Sequence, residues 1–294
     1  MEKGLVMLWT EILSGDFEKA VEEAKGVGIL PVGCVEHHGR HLPLGNDTLQ
    51  VGEISRLAAE KEPAIVFPYM YFGEKQGAGE FKGTIIFSSK LIFDILTETC
   101  DEMARNGIKK IVIVNGHGGN VAMLNNFARS TLYRKKDYMV FIYRLGTAGL
   151  PMKKILEMIE AGERPDIFSE LTEEDVAAIR YNVENRTASG HGCFSETATS
   201  LGLFPELCDM SRVNDVSGKC VNRLSHLSDA GFYTPFGWMA DYPNSLSSDA
   251  HDGNNERIGR AFVNLTVERL ANAFKIIKED TACEEYHKEW SAKQ

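Results

Sequence analysis

The sequence predicts an α/β protein built on a mainly parallel sheet. Four apolar runs have the composition of buried strands: residues 29–35, 64–70, 109–114 and 138–144. Between them lie segments with helical spacing of apolar residues: 48–61, 89–105 and 121–135. Strands and helices that alternate at this pace form βαβ units, and such units build a parallel sheet.

Turn and cap residues mark the ends of several elements. Asp16 can cap a short helix, which Gly26 then ends. The clearest strand, 109–114, runs from Lys109 and Lys110 into β-branched residues and stops at a glycine-rich corner. We expect both lysines to be exposed.

The second half of the chain is less regular. Residues 150–181 are expected to be helical and charged, and residues 226–255 are rich in Gly, Pro, Asn, Asp and Ser. The tail after about residue 280 is polar and expected to be peripheral. Residues 1–294 are interpreted as one domain with a core at about 28–280. A closing helix carries Ile258, Phe262, Leu265, Leu270, Phe274 and Ile277.

Composition narrows the classes of partner. The 294 residues carry a formal net charge of −10, which favours a small-molecule substrate over nucleic acid or an anionic membrane. No basic start precedes an apolar run at the N-terminus, and no stretch approaches the roughly twenty apolar residues that span a bilayer. The six cysteines are scattered without a CxxC pair, which favours free thiols in a cytoplasmic protein.

Histidines cluster beyond two of the predicted strands. Of the eight in the chain, three fall in the loop after the first strand, and His117 stands in the glycine-rich corner NGHGGN. One histidine at a strand end is usually structural. Ligands gather beyond the carboxyl ends of parallel strands, however, and several histidines together favour a shared site.

The spacing in the first loop suits metal binding. Glu36 and His38 are two residues apart, so on an extended backbone their side chains leave the same face. Asp47 adds an oxygen ligand from the start of the next helix, and the glycines around His117 leave its site open. A glycine-rich loop between a strand and a helix, such as NGHGGN, can also bind phosphate. This loop matches neither GxGxxG nor GxxxxGK[ST], and no lysine follows it.

A third polar cluster, residues 189–197, places His191 five residues before Glu196. Glu196 is expected in the first turn of a helix. An acid in that position usually serves capping and the helix dipole. Its functional interpretation therefore depends on the other two motifs.

In order and spacing, the three motifs resemble the creatininase (creatinine amidohydrolase) family. The matching segments are EHHGRHLPLGND at 36–47, NGHGGN at 115–120, and His191 with Glu196-Thr197. Weaker collinear matches are FKGT at 81–84 and the segment from Gly237 to Gly259. The resemblance spans roughly residues 28–262.

This resemblance implies a three-layer α/β sandwich with a paired metal site, in a ring-like homo-oligomer such as a hexamer. By position it implies Glu36, Asp47 and His117 as ligands of one divalent ion. His38 and a shared Asp47 are implied as ligands of the second. One or two ions are expected, and mixed imidazole and carboxylate ligation suits Zn, Mn or Fe.

One position departs from the family. Creatininase supplies a glutamate two residues after the histidine of its NGH motif, where this chain has Gly119. The resemblance implies Glu196 as the replacement ligand. It implies His191 as the proton-transfer residue, an imidazole that titrates near neutrality. His191 and Glu196 are the expected catalytic residues.

The implied chemistry is attack of water on a carbonyl, since a metal lowers the pKa of bound water toward about 7 and polarises the carbonyl oxygen. The leading hypothesis is amide hydrolysis of a small polar, cyclic substrate, a cyclic amide or formamide. The runner-up is carbon–carbon hydrolysis that opens a polyhydroxylated cyclic ketone of the inosose type. A hypothesis of another class is a non-catalytic metal- or ligand-binding protein.

Two features bear on the substrate. The tryptophans Trp9, Trp238 and Trp290 lie outside the central region where creatininase places its own, which disfavours creatinine. The loop before Gly83 is unusually charged, and it either lines the pocket of a polar substrate or is a solvated surface loop. Its polar residues are Glu74, Lys75, Gln76, Glu80 and Lys82.

Overall fold

The computed structural model describes residues 7–75, 77–146, 150–185, 190–247 and 253–294. In these ranges one parallel sheet has the strand order β2-β1-β3-β4, with β1 Val27–Val32, β2 Ile65–Val66, β3 Lys110–Asn115 and β4 Met139–Arg144. The helices are α1 Phe17–Glu23, α2 Asn46–Lys61, α3 Ser89–Arg105, α4 Asn120–Ser130, α5 Met152–Glu160, α6 Pro165–Phe168, α7 Glu173–Asn185, α8 Phe194–Leu203, α9 Ser225–Asp229, α10 Gly237–Asp241, α11 Glu256–Glu279 and α12 Ala282–Ala292. Gln76 of the charged loop, Ser189 of the third cluster and residues 248–252 lie outside the described residues.

Helices cover both faces of the sheet. The chain moves along the sheet in one direction from β1 to β2 and in the other from β2 to β3, so connections of the usual right hand place α2 and α3 on opposite faces. Helix α11 packs beside α2, and α4 packs beside α3. The prediction of a three-layer α/β sandwich with a parallel sheet is confirmed.

β1 is shifted from the predicted run 29–35. It leaves the sheet after Val32, because from Gly33 onward the chain closes on α2. A Cβ on Gly33 would lie 2.5 Å from the backbone of Thr48. This close approach brings the loop after β1 against the start of α2.

The second predicted strand is much shorter than the run 64–70. Only Ile65 and Val66 pair continuously with β1. Pro68 has no amide hydrogen to continue the ladder. Pairing returns only at an isolated bridge between Val32 and Met70.

The predicted helical region 150–181 is divided into α5, α6 and α7. Gly162 and Arg164 both adopt left-handed backbone angles, and Pro165 then starts a new helix. These helices pack with α8 and α11 around a second apolar cluster that includes Ile155, Phe194 and Phe262. The closing helix α11 lies where its apolar spacing predicts it.

The solvent exposure at the amino end of β3 differs from the prediction. Lys110 is 3% exposed rather than a surface residue, because the end of α11 and the start of α12 cover it. The polar tail forms helix α12, and none of the residues of α12 is buried. No helix in the described ranges has both the length and the apolar character needed to cross a bilayer.

Candidate metal centre

The first two motifs meet because β1 and β3 are neighbours. The last residues of the two strands, Val32 and Asn115, are register partners. Glu36 and His117 follow them at the same edge of the sheet. The first turns of α2 and α8 bring Asp47 and Glu196 to this edge.

Asp47 is the centre of the group. Its Oδ1 lies 2.9 Å from His38 Nε2, and its Oδ2 lies 2.8 Å from His117 Nδ1. Glu36 Oε1 lies 2.9 Å from the same nitrogen of His117. Glu196 Oε1 lies 3.4 Å from His38 Nε2. These five residues are called the acidic cluster below, and the structure brings all of the sequence-predicted metal ligands into it.

Gly119 has no room for the glutamate that creatininase carries at this position. A Cβ there would lie 2.4 Å from His117 Nε2 and 2.8 Å from the backbone oxygen of Glu74. Glu196 instead reaches the cluster from α8. Its Oε2 accepts a hydrogen bond from the amide of Gly192, which leaves Oε1 to face His38.

Hydrogen bonds from the loops orient the two imidazoles. His38 Nδ1 lies 3.1 Å from the backbone oxygen of Glu36, so it donates there and leaves Nε2 toward the carboxylates. Asn115 accepts from the amide of His117 at 3.1 Å and donates to its backbone oxygen at 2.8 Å. Asn120 donates to Asn115 in turn. The ligand geometry therefore depends on backbone groups next to each strand end.

The charged groups of the acidic cluster strongly shift one another's pKa values. Burial alone would raise the pKa of Asp47, but His38 and His117 hold it well below its usual range. Burial alone would lower the pKa of His117, but hydrogen bonds with Asp47 and Glu36 raise it to about 10. The pKa of His38 is raised in the same way, because Asp47 and Glu196 outweigh its burial. The two imidazoles thus carry positive charge that the carboxylates require.

This donor set fits divalent cations. With neutral imidazoles, Glu36, Asp47 and Glu196 leave a surplus of negative charge that the single ammonium of Lys75 does not balance. Lys75 Nζ lies 2.6 Å from Glu36 Oε2, yet without the alignment of a hydrogen bond. In the described part of the chain, His117 Nε2 is also buried without a hydrogen-bond partner. Carboxylate and imidazole groups in excess of their partners are suitable ligands for Zn, Mn or Fe.

His191 lies against the cluster on one side. Its ring stacks on His38 with centroids 3.9 Å apart, and its Nδ1 is 3.6 Å from Glu36 Oε1. Nε2 lies 2.5 Å from the backbone oxygen of His37, to which it donates. Burial and the neighbouring His38 lower the pKa of His191 to about 3. In this arrangement the pKa of His191 lies below the neutral range expected from the sequence, so the ring is neutral near pH 7.

Sequence reasoning missed Cys34, whose thiol lies 3.2 Å from Asp47 Oδ2 and 3.4 Å from Glu36 Oε1. The only signal was its place two residues before Glu36, inside a run interpreted as apolar. Sequence reasoning also missed Ser245, which donates to the His37 oxygen beside His191.

Trp238 contacts the site from helix α10. Its ring meets that of His191 edge-on with centroids 5.3 Å apart, and Lys75 Nζ lies 4.8 Å from its centroid. Trp238 thus lies beside the site although it falls outside the central region of the sequence where creatininase places its tryptophans. The charged loop divides into two parts, because Lys75 is 9% exposed whereas Glu80 and Lys82 are solvated.

A family model described as Creatininase, creatinine amidohydrolase, matches residues 10–274. The chain belongs to the creatininase family. The resemblance drawn from the three motifs is confirmed, and the chain is a hydrolase of this family.

Relatives of this chain are named for different substrates. A creatinine amidohydrolase from Pseudomonas putida is 26% identical over 212 residues, which cover 70% of this chain and 75% of the relative. A 3-dehydro-scyllo-inosose hydrolase from Thermotoga maritima is 29% identical over 223 residues, which cover 71% of this chain and 61% of that protein. A mycofactocin precursor peptide peptidase from Mycolicibacterium smegmatis is 31% identical over 115 residues, 37% of this chain and 46% of the peptidase.

Solved structures of creatininase share the fold. A manganese form has a TM-score of 0.65 at 20% identity and covers 93% of this chain and 99% of its own. A zinc form of a creatininase mutant has a TM-score of 0.63 at 21% identity, with the same coverage of 93% and 99%. At these identities the comparison confirms the α/β fold, and the metals are properties of those structures.

Proposed function

We propose that this chain is a metal-dependent hydrolase that directs water against a carbonyl carbon of a small polar, cyclic substrate. The observation that carries the proposal is the convergence of two imidazoles and three carboxylates around Asp47, whose two oxygens face different histidines. A carboxylate that faces two donor groups in this way is suited to bridge two ions. Family membership supports the hydrolytic part of the proposal.

Of the three ligand groups that the distances allow among the described residues, two match the ions of the proposal. Glu36, Asp47 and His117 would hold one ion, and His38, Asp47 and Glu196 would hold the other. Zn, Mn or Fe bound there would make water more acidic and polarise the carbonyl oxygen. In the proposal Glu196 therefore serves both as a ligand and as a catalytic group at the open side of the cluster, where its side chain is 18% exposed.

His191 is proposed to move the proton. The hydrogen bond from Nε2 to the His37 oxygen fixes the ring, and Nδ1 is left as the acceptor that faces the cluster. Nδ1 takes a proton from the attacking water and delivers it to the leaving group. The stacked His38 ring and the edge of Trp238 keep the imidazole in place.

The leading substrate class is a cyclic amide or formamide. The Pseudomonas relative is named for amide hydrolysis, and the site presents polar groups to a small ring. Lys75 offers a donor beside the cluster, and Trp238 offers an apolar ring face. This lining favours a flat or compact ring with several polar substituents.

A second candidate is ring opening of a polyhydroxylated cyclic ketone. The Thermotoga relative, named for hydrolysis of an inosose, is 29% identical over 71% of this chain. The ammonium of Lys75 suits a ring hydroxyl as well as it suits an amide. Both candidates place a carbonyl carbon at the same ions and use the same proton acceptor.

The test begins with metal analysis of the purified protein, followed by mass spectrometry after incubation with pooled cyclic amides, formamides and inososes. We expect bound transition metal and the gain of one water by a cyclic amide or formamide. His191→Ala should lower kcat by about 100-fold or more with metal content unchanged. His287→Ala, in α12 at the far edge of the sheet, is the matched control and should keep full activity.

Three results would redirect the proposal. Water added only to a cyclic ketone would replace the leading substrate class by the second. Metal bound without turnover of any carbonyl compound would favour a non-catalytic metal-binding protein. Full activity after removal of all transition metal would refute metal dependence itself.

The proposal includes self-association, which the family resemblance implies. Three aromatic side chains that precede helix α10 in the sequence are largely exposed, with Phe232 at 67%, Tyr233 at 92% and Phe236 at 65%. Contiguous exposed apolar side chains are typical of protein interfaces. Light scattering on the purified protein should give the mass of an oligomer, and a monomeric mass at micromolar concentration would contradict this part.

A further inference from the structure

Cys34 contacts two of the proposed ligands, but the proposed mechanism does not use it. The residue is 1% exposed, and its Sγ lies 3.4 Å from Glu36 Oε1 and 3.2 Å from Asp47 Oδ2. His117 Nδ1 lies on the same two oxygens at 2.9 and 2.8 Å. The sulfur, the two oxygens and the nitrogen all lie within 4.8 Å of one another.

We propose that Cys34 is a sulfur ligand of the metal ion held by Glu36, Asp47 and His117. On binding, the thiol releases its proton to solvent and a metal–sulfur bond forms, without electron transfer. The inference rests on the proposed function, since it takes the acidic cluster to be a metal site. It goes beyond that function because it makes the two ion positions chemically different.

The distances among these four ligand atoms fit a four-coordinate metal site in which the atoms stand slightly closer together than they would around a bound ion. Ligand atoms at roughly 2.0–2.3 Å from a tetrahedral ion stand about 3.3–3.6 Å apart. The two nitrogen–oxygen distances of 2.9 and 2.8 Å and the two sulfur–oxygen distances of 3.4 and 3.2 Å are each a few tenths of an ångström shorter. The thiol and the ring now contact the same two carboxylates, and small side-chain rotations would open the group around a cation.

The backbone holds Cys34 in this position. Thr48 Oγ1 donates to the backbone oxygen of Cys34 at 3.0 Å. On the other side Gly73 packs so closely that a Cβ there would lie 2.7 Å from Cys34 Cβ. The sulfur is therefore kept between Glu36 and Asp47, on the side of Asp47 that faces His117.

The other ion position has no sulfur among its described neighbours. His38, Asp47 Oδ1 and Glu196 Oε1 offer only nitrogen and oxygen. Thiolate ligands favour Zn over Mn, whereas carboxylate ligands accept Mn readily. The sulfur-containing position is thus expected to retain Zn under conditions in which the other position exchanges Zn for Mn.

The competing role for Cys34 is a thiol that only donates hydrogen bonds to the carboxylates. Cobalt separates the two roles, because Co(II) bound to a thiolate has a charge-transfer absorption in the near ultraviolet that oxygen and nitrogen ligands do not give. Metal-free full-length protein is titrated with Co(II) and its near-ultraviolet and visible spectra are recorded. Cys34→Ser is the test variant, and Cys193→Ser is the matched control because Cys193 is buried near Glu196 but lies outside the ligand group.

We expect the charge-transfer band in the wild type and in Cys193→Ser, and its loss in Cys34→Ser with the visible cobalt bands retained. Visible bands without the charge-transfer band in the wild type would overturn the inference and leave the proposed function standing. A charge-transfer band that persists in Cys34→Ser would overturn it too. No bound cobalt at all in the wild type would instead count against the proposed function.

Two further measurements keep the inference testable if Cys34→Ser folds poorly. X-ray absorption on the wild-type Zn protein should detect one sulfur at about 2.3 Å from part of the Zn. Where the variant folds, loss of Cys34 should weaken Zn binding by at least roughly 10-fold, because even supporting contacts of a metal site have effects of this size. Mn binding should change much less. An all-oxygen-and-nitrogen shell around every Zn would refute the ligand role.

Discussion

The two ends of strand β3 each hold a buried basic side chain, but in opposite surroundings. At the amino end, Lys110 Nζ donates to the backbone oxygens of Ile277 and Asp280 at 2.8 Å each and lies 2.6 Å from Glu284 Oε1. An ammonium has three protons, and three acceptors receive them. Beyond the carboxyl end, His117 stands among three carboxylates that Lys75 and the two imidazoles balance only while both rings are protonated.

This difference in partners distinguishes a buried charge with a structural role from buried charges that form a binding site. The three protons of the Lys110 ammonium all have acceptors within the protein, so no water molecule or ion is needed to pair with it. The acidic cluster leaves His117 Nε2 without a partner and Glu36 Oε2 without a hydrogen bond among the described residues. Once the imidazoles are neutral, as metal ligands must be, the carboxylates are in excess, and buried groups of one charge in excess are costly unless a counter-ion joins them. The four predictions that follow test this contrast.

The largest effect is expected from Asp47→Asn. This change removes the charge that faces both His38 and His117, so both ion positions lose their shared ligand. We expect metal affinity and kcat/KM to fall by at least about 1,000-fold, which corresponds to roughly 4 kcal/mol. Metal content is measured by mass spectrometry and activity on the identified substrate.

Asp101→Asn is the matched control for this variant. Asp101 pairs with Lys136 and Tyr138 near the amino end of the sheet. Its loss should leave metal content and activity unchanged. Equal loss of metal in both variants would contradict the contrast between the two ends of the strand.

The next effect is the pH dependence of metal binding. The pKa of His117 is raised to about 10 and that of His38 is raised as well, so both imidazoles are protonated near neutral pH in the metal-free protein. A metal ion binds the neutral ring, and each ion that enters must displace these protons. His117 and His38 belong to different ions in the proposal, so each imidazole proton released should raise the affinity for its own ion by about 10-fold per pH unit around pH 7.

Titration calorimetry in buffers with different ionisation enthalpies counts the released protons. Cys34→Ser is the better protein for this count, since it removes the thiol proton from the balance. The two imidazoles should then account for the release. An affinity that stays constant between about pH 6 and 8 would show that the imidazoles are neutral before the metal arrives.

The sequence was sufficient to find the residues that stand at strand ends. Glu36 and His117 follow apolar runs whose pairing in a parallel sheet brings them together, and Glu196 starts a helix as its motif predicts. Helical spacing also placed α11 correctly. Such patterns report which face of an element is buried and where the element ends.

The sequence was insufficient where a distant segment covers the site. Lys110 reads as a surface lysine until α12 and the end of α11 close over it. Lys75 reads as one of several loop charges, yet its contacts with Glu36 and Trp238 make it part of the site. Cys34 reads as an apolar strand residue. Periodicity carries no information about such long-range contacts, which depend on how loops fold back.

The third prediction concerns the amino end of β3. Lys110→Met removes the ammonium from two carbonyl oxygens and from Glu284. We expect the free energy of unfolding to fall by about 2 kcal/mol, because Glu284 is partly exposed and can regain water while the carbonyls lose a donor. Denaturant titration measures this loss, and metal content should be unchanged.

Lys109→Met is the neighbour control. Lys109 Nζ pairs with the exposed Asp137, and the Lys109 side chain is 46% exposed. An exposed pair of this kind contributes between about 0 and 1 kcal/mol. A loss from Lys110→Met no larger than that from Lys109→Met would mean that the buried ammonium is not the structural group inferred here.

The smallest effect tests a second buried charge with a full set of partners. Asp175, at the start of α7, is 2% exposed and accepts hydrogen bonds from Arg257, Asn255 and the amide of Thr172. Burial alone would raise its pKa, but these donors lower it from 3.8 to about 2. A depressed pKa in the folded state means that the stabilisation is present above pH 4 and is lost as pH falls through about 2.

The free energy of unfolding should therefore fall less steeply in Asp175→Asn than in the wild type as the pH is lowered. The wild type should lose about 1–2 kcal/mol more than the variant between about pH 4 and 2, after allowance for the solvent exposure of Arg257. Denaturant titrations at these two values give the difference, in which the other titrating acids cancel. Asp166→Asn, whose carboxylate is 58% exposed beside Arg164, is the control and should leave a smaller change. The free energy of unfolding of the wild type and of Asp175→Asn could instead fall equally between these two pH values. A complete set of partners would then not distinguish a structural charge from the acidic cluster. The contrast drawn from Lys110 would apply to that residue alone.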